Sequence, residues 1–70
     1  MKIRYNPDAD AMYITLREGE IDHTKEIDDN TIIDFDKSGN VIGVELLFVR
    51  ERNPEILKSI QVENLIKVSS

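Results

Sequence analysis

Apolar residues recur at every second position in four short runs, a fifth run is polar, and residues that favour chain reversal separate them. That alternation restricts a chain of 70 residues to a small antiparallel sheet more firmly than any other feature it has. Met1, Ile3 and Tyr5 alternate with Lys2 and Arg4, which predicts a strand over residues 2–5. Met12, Ile14 and Leu16 form the next set, against Ala11, Tyr13 and Thr15, in a strand near 11–17. Between the two runs, Asn6-Pro7-Asp8 supplies a turn, because Pro7 presets φ and the Asn6 side chain bonds to the backbone two residues on.

Arg17-Glu18-Gly19-Glu20 reads as a second tight turn, with Gly19 taking positive φ. Residues 22–28 follow as a polar strand that suits a sheet edge, where charge discourages unwanted pairing. Asp29-Asn30 is a two-residue hairpin signal, with Asn30 in the left-handed region. Strand four spans 31–36, Ile33 and Phe35 on one face and Ile32, Asp34 and Asp36 on the other. Lys37-Ser38-Gly39-Asn40 predicts a type I turn with Gly39 left-handed in a bulge. The fifth strand, near 40–47, turns Ile42, Val44 and Leu46 to the core and Gly43, Glu45 and Leu47 away from it.

Such a sheet needs a cover for its apolar face. Asn53 as N-cap, Pro54 at the first position and Glu55 in the first turn predict a helix from Pro54, with Ile56, Leu57 and Ile60 on one side. An extended piece near 59–62 and a turn of helix near 63–66 are expected beyond it. The fold class is therefore α+β: one domain over 1–70, an antiparallel β-meander of about five strands in 1–48 and a C-terminal helical segment in 53–67 packed on one face.

A chain this short buries little surface, and without cysteine it has neither a disulfide nor a thiolate metal site to reinforce it. Good packing or a partner must stabilise it, and self-association as a homo-oligomer is expected. With 14 Asp+Glu against 9 Lys+Arg, a net charge of -5, the chain repels phosphate-rich surfaces, which argues against nucleic acid and anionic membranes and for a basic protein partner. No apolar run is long enough to span a bilayer and no signal-peptide core follows Met1, so a cytoplasmic protein is expected.

Residues 34–45 place Asp34, Asp36 and Ser38 at positions 1, 3 and 5 of a calcium-loop spacing, Gly39 at 6 and Glu45 at 12. An EF-hand loop joins two helices, whereas the flanks here alternate as strands, and Asp, Ser and Gly at a hairpin turn need no metal. His23 stands alone and lacks the further ligands that a transition metal requires. The carboxylate pairs Asp8 with Asp10, Asp28 with Asp29 and Asp34 with Asp36 are read as turn chemistry, since acid and base catalysis needs a cleft to shift their pKa values. No catalytic residue and no cofactor is assigned, and an enzyme is not expected; a metal-binding or hydrolytic use of residues 34–45 is the alternative.

The face opposite the core carries Arg4, Tyr13, Thr15, Ile32, Glu45 and Leu47, a mixture unlike a uniformly solvated coat. Arg with Tyr is the composition of interface hot spots, so Arg4, Tyr13, Ile32 and Leu47 are the expected partner-binding residues. The edge of the first strand is a poorer template, because Lys2 and Arg4 lie along it.

Two stretches, Lys2-Ile3-Arg4-Tyr5-Asn6-Pro7-Asp8-Ala9-Asp10-Ala11-Met12-Tyr13-Ile14 and Asp34-Phe35-Asp36-Lys37-Ser38-Gly39-Asn40-Val41-Ile42-Gly43-Val44-Glu45-Leu46-Leu47, resemble the YuzE-like small prokaryotic proteins, a domain-of-unknown-function family (DUF 2283). The resemblance covers residues 1–48 and departs at Asn6 and Met12, where the family more usually has Asp and Leu. It implies a small β-rich fold and brings no activity, substrate or catalytic residue. It also implies a setting beside small toxin-like proteins, and with it the role of an antitoxin-like partner of a small basic protein.

Overall fold

The computed structural model describes residues 1–55, 58 and 63. Five strands, β1 (Lys2–Asn6), β2 (Ala11–Thr15), β3 (His23–Asp28), β4 (Thr31–Phe35) and β5 (Val41–Leu47), form one antiparallel sheet, followed by a single helical turn, α1 (Val49–Arg52). This is the α+β architecture that the alternation predicts. Within it the strands lie in the order β1-β2-β5-β4-β3, so β5 is central and β1 and β3 are the edges.

The physical reason for that order is in the side chains. Every residue of β3 is exposed, which suits an edge, whereas β5 carries apolar residues and a glycine that only neighbours on both sides can cover. Residues 16–22 therefore do not close a tight β2–β3 hairpin as expected; they cross the end of the sheet. Leu16 N–H donates to Ile42 O at 2.9 Å on β5, and Asp22 N–H donates to Phe35 O at 2.8 Å at the end of β4. Gly39 is the one glycine with positive φ, so Gly19 does not adopt the left-handed conformation that a tight turn there would need.

The other turns follow local chemistry. Asn6 Oδ1 accepts from the backbone of Asp8 at 2.9 Å and of Ala9 at 3.3 Å, as the β1–β2 turn requires. Gly39, at φ 85°, donates to Asp36 O at 3.1 Å and completes the expected type I turn with its bulge. Asn30 does not take the left-handed conformation expected of it. The Asp28 carboxylate instead accepts from Asn30 N–H at 2.8 Å, and a register shift between Glu26 and Asp28 absorbs the extra residue.

A helical turn, α1, forms upstream of the helix that Asn53 and Pro54 predict. Phe48 turns the chain with φ 55°, Val49 is buried, and Asn53 is the C-cap, its N–H donating to Val49 O, rather than the N-cap. Pro54 and Glu55 lie in a turn, and the remaining expected helical and extended positions, 56–57, 59–62 and 64–67, fall outside the described residues. Among the described residues the buried apolar side chains are Met12, Ile42 and Val49, and no helix is long and apolar enough to cross a membrane.

Candidate functional site

Directly opposed residues in an antiparallel sheet point to the same side, so the register fixes what each face presents. One face carries a row that runs Ile3, Ile14, Val44, Ile33 across β1, β2, β5 and β4, the apolar side expected for the core. On the other face the corresponding row runs Arg4, Tyr13, Glu45, Ile32, Glu26 from one edge of the sheet to the other. Leu47, opposite Ala11, shares that face one step further along β5. The register thus brings together all four residues expected to bind a partner: Arg4 is exposed, and Tyr13, Ile32 and Leu47 are half-buried. Arg4, Asn6, Ala11, Tyr13 and Glu45 also border a shallow depression of about 300 Å³.

Tyr13 does not stand up from this face. Its hydroxyl crosses over Gly43 on β5 and donates to Asp34 Oδ2 on β4 at 2.5 Å. Gly43 lies opposite both Thr15 and Asp34, and a Cβ there would strike the phenol, coming within 2.7 Å of its Cζ. Asp34, only 8 % exposed, also accepts from Thr24 Oγ1 on β3 at 2.7 Å. The hydrogen bond to Asp34, burial, and the negative charges of Asp34 and Glu45 together push the Tyr13 phenol up to about 12, against a smaller opposing pull from Arg4. A polar network therefore links three strands, β2, β4 and β3, across β5, and pins the aromatic ring flat at the middle of the face. Sequence reasoning grouped Gly43 with the outward residues and read Asp34 as turn chemistry; the available signal was a glycine between the β-branched residues Ile42 and Val44 inside a strand, which marks a close approach.

The Asp36 and Asp28 carboxylates are occupied locally. Asp36 accepts from the backbone of Ser38 and of Asn40, each at 2.9 Å, and from the Asn40 side-chain amide at 3.1 Å; these bonds hold its carboxyl below the usual range. The Asn30 N–H, aided by Thr31, does the same for Asp28. Residues 34–45 are strand, turn and strand, and Asp34 and Glu45 are diagonal neighbours on one face. Among the described residues no group of three or more His, Cys, Asp or Glu side chains is placed to hold a metal ion. His23 stacks on Phe35 at 4.9 Å between ring centroids, with Nδ1 at 2.8 Å from Asp22 Oδ2.

Asp10, paired with Asp8 in the sequence reading, has a different task. Its side chain accepts from the backbone N–H of Arg50 at 2.8 Å and of Glu51 at 3.1 Å, its carbonyl accepts from Val49 N–H at 3.1 Å, and the Tyr5 hydroxyl donates to Oδ1 at 2.7 Å. The turn between β1 and β2 thereby caps α1 from the far end of the sheet-forming sequence. The Arg50 amide, with help from Tyr5 and Glu51, lowers the Asp10 carboxyl, and Asp10 in turn raises the Tyr5 phenol.

The sequence profile of a family described as "Protein of unknown function (DUF2283)" matches residues 2–50. The match spans well over half of the chain, which belongs to this family. No curated protein matches the chain, and no solved structure does.

Proposed function

We propose that this member of the DUF2283 family is a small protein-binding module whose docking surface is the sheet face bearing Arg4, Tyr13, Ile32 and Leu47. The observation that carries the reading is the row itself. A cation, a pinned aromatic ring, an anion and an aliphatic side chain stand side by side across four strands, where a solvated face would be uniformly polar. Tyr13 is held in one rotamer by Asp34, so little side-chain entropy remains to be lost on binding. The Asp28 and Asp36 carboxylates are engaged by backbone N–H groups of their own turns, which favours binding over hydrolysis.

The net charge of -5 favours a basic protein over nucleic acid or an anionic membrane. With the family resemblance, this supports an antitoxin-like role towards a small basic toxin-like protein. A cytoplasmic setting accompanies the reading, since a chain without cysteine gains nothing from an oxidising compartment. The test is co-purification of the tagged chain with the small protein encoded beside it, wild type against Leu47→Asp, with circular dichroism to confirm that the variant folds. Capture that is lost in the folded variant supports the reading. Capture at wild-type yield by both Leu47→Asp and Ile32→Asp would show that binding uses another surface.

A further inference from the structure

We infer that the same face is a two-fold interface with a second copy of this chain, the dyad lying in the interface and running along β5. The inference rests on the docking reading and names one occupant of that surface. Its basis is the order of the row: Arg4 on β1, Tyr13 on β2, Glu45 on β5, Ile32 on β4, Glu26 on β3. Because β5 is the central strand, a half-turn about an axis along it lays β1 over β3 of the copy and β2 over β4. Arg4 then faces Glu26 of the copy, and Tyr13 faces Ile32, twice each by symmetry.

Charge selects this arrangement over its competitors. A dyad across the strands would lay β1 over β1 of the copy and bring Arg4 and Lys2 together. Two-fold pairing of the sheet edges fares no better. Centred on β1 it sets Arg4 opposite Arg4, and centred on β3 it sets either Lys25 or Glu26 opposite itself, on a strand already broken by a register shift beside Ile27. Among the described residues neither Arg4 nor Glu26 is in a salt bridge, and both are exposed. The pairing is not perfect, because Glu45 lies on the dyad and meets Glu45 of the copy. Association is accordingly reversible, and a basic protein that covers the same face displaces the second copy.

Sedimentation equilibrium over a concentration series tests this with the full chain, each variant checked by circular dichroism. Wild type is expected to form a reversible dimer. Arg4→Glu and Glu26→Arg each turn two symmetric attractions into repulsions and weaken it by about tenfold or more, while the Arg4→Glu, Glu26→Arg double variant returns to within a few-fold of wild type. Glu45→Gln tightens it. A wild type that stays monomeric at about 1 mM, where even a very weak dimer is half formed, overturns the inference. So does a dimer indifferent to Arg4→Glu, or a charge swap that restores nothing. If the dimer fails these tests while capture of the neighbour-encoded protein still depends on Leu47, the docking reading stands and the homodimer alone is wrong.

Discussion

Tyr13 is positioned by two residues from outside its own strand: Gly43, which leaves room for the ring, and Asp34, which accepts its hydrogen bond. Asp34 is buried with two side-chain donors, so Tyr13→Phe leaves its carboxylate with Thr24 alone and should cost about 1–3 kcal/mol, read from denaturant unfolding. The same bond sets a sign for alkaline stability. The folded phenol titrates at about 12 against an ordinary value of 10.0, so its contribution is complete below pH 10 and is lost as pH rises through 12. Phenolate absorbance should show that late titration in the folded protein. Tyr13→Phe should remove most of the alkaline loss of stability, the remainder belonging to Tyr5, which Asp10 also raises.

Among the elements, α1 depends most on a distant residue. A helical turn of four residues cannot sustain itself, and its first N–H groups are satisfied by Asp10, in a turn closed long before the helix is reached along the chain. Asp10→Asn should speed amide exchange at Arg50 and Glu51 while the β4 and β5 amides stay protected. Because the Asp10 carboxyl is lowered in the fold, its contribution is complete above the ordinary value of 3.8 and is lost as pH falls through the lower folded value, so the same amides should lose protection in acid. This also explains what was legible. Alternation set four of the five strands and the membership of both faces, since period 2 depends only on a residue's immediate neighbours in sequence; β3 was read instead from its charge, as an edge. Strand order was not legible, because alternation says which side a residue takes and not which strand lies beside it. Asn53 and Pro54 carried a strong local helix-start signal, yet the cap that decided the matter came from Asp10, and Asn53 ended the helix instead. That Arg4, Tyr13, Ile32 and Leu47 share one face was readable from their parity; the network that fixes Tyr13 was not, because it crosses from β2 over β5 to β4 and β3, whose adjacency the sequence does not state.

For the whole molecule, size dominates. A core in which Met12, Ile42 and Val49 are the buried apolar residues among those described, with Ile3 still 39 % exposed, leaves little margin over chain entropy. Stability should therefore be linked to association: the melting temperature should rise with protein concentration in the wild type and begin to rise only at higher concentration in Arg4→Glu, measured by calorimetry over a dilution series. The place of β5 has a further consequence, for how the chain acquires its structure. Among the described strands, the last to be synthesised is the one that every other part of the sheet leans on, with β2 on one side and β4 on the other. Until Val41–Leu47 has emerged from the ribosome, β1–β2 and β3–β4 exist only as two separate hairpins, each too small to persist in water. Folding must then be a late, all-or-none event governed by pairings distant in sequence, such as Ala11 with Leu47, and a nascent chain interrupted before β5 offers proteases two loose ribbons instead of half a domain.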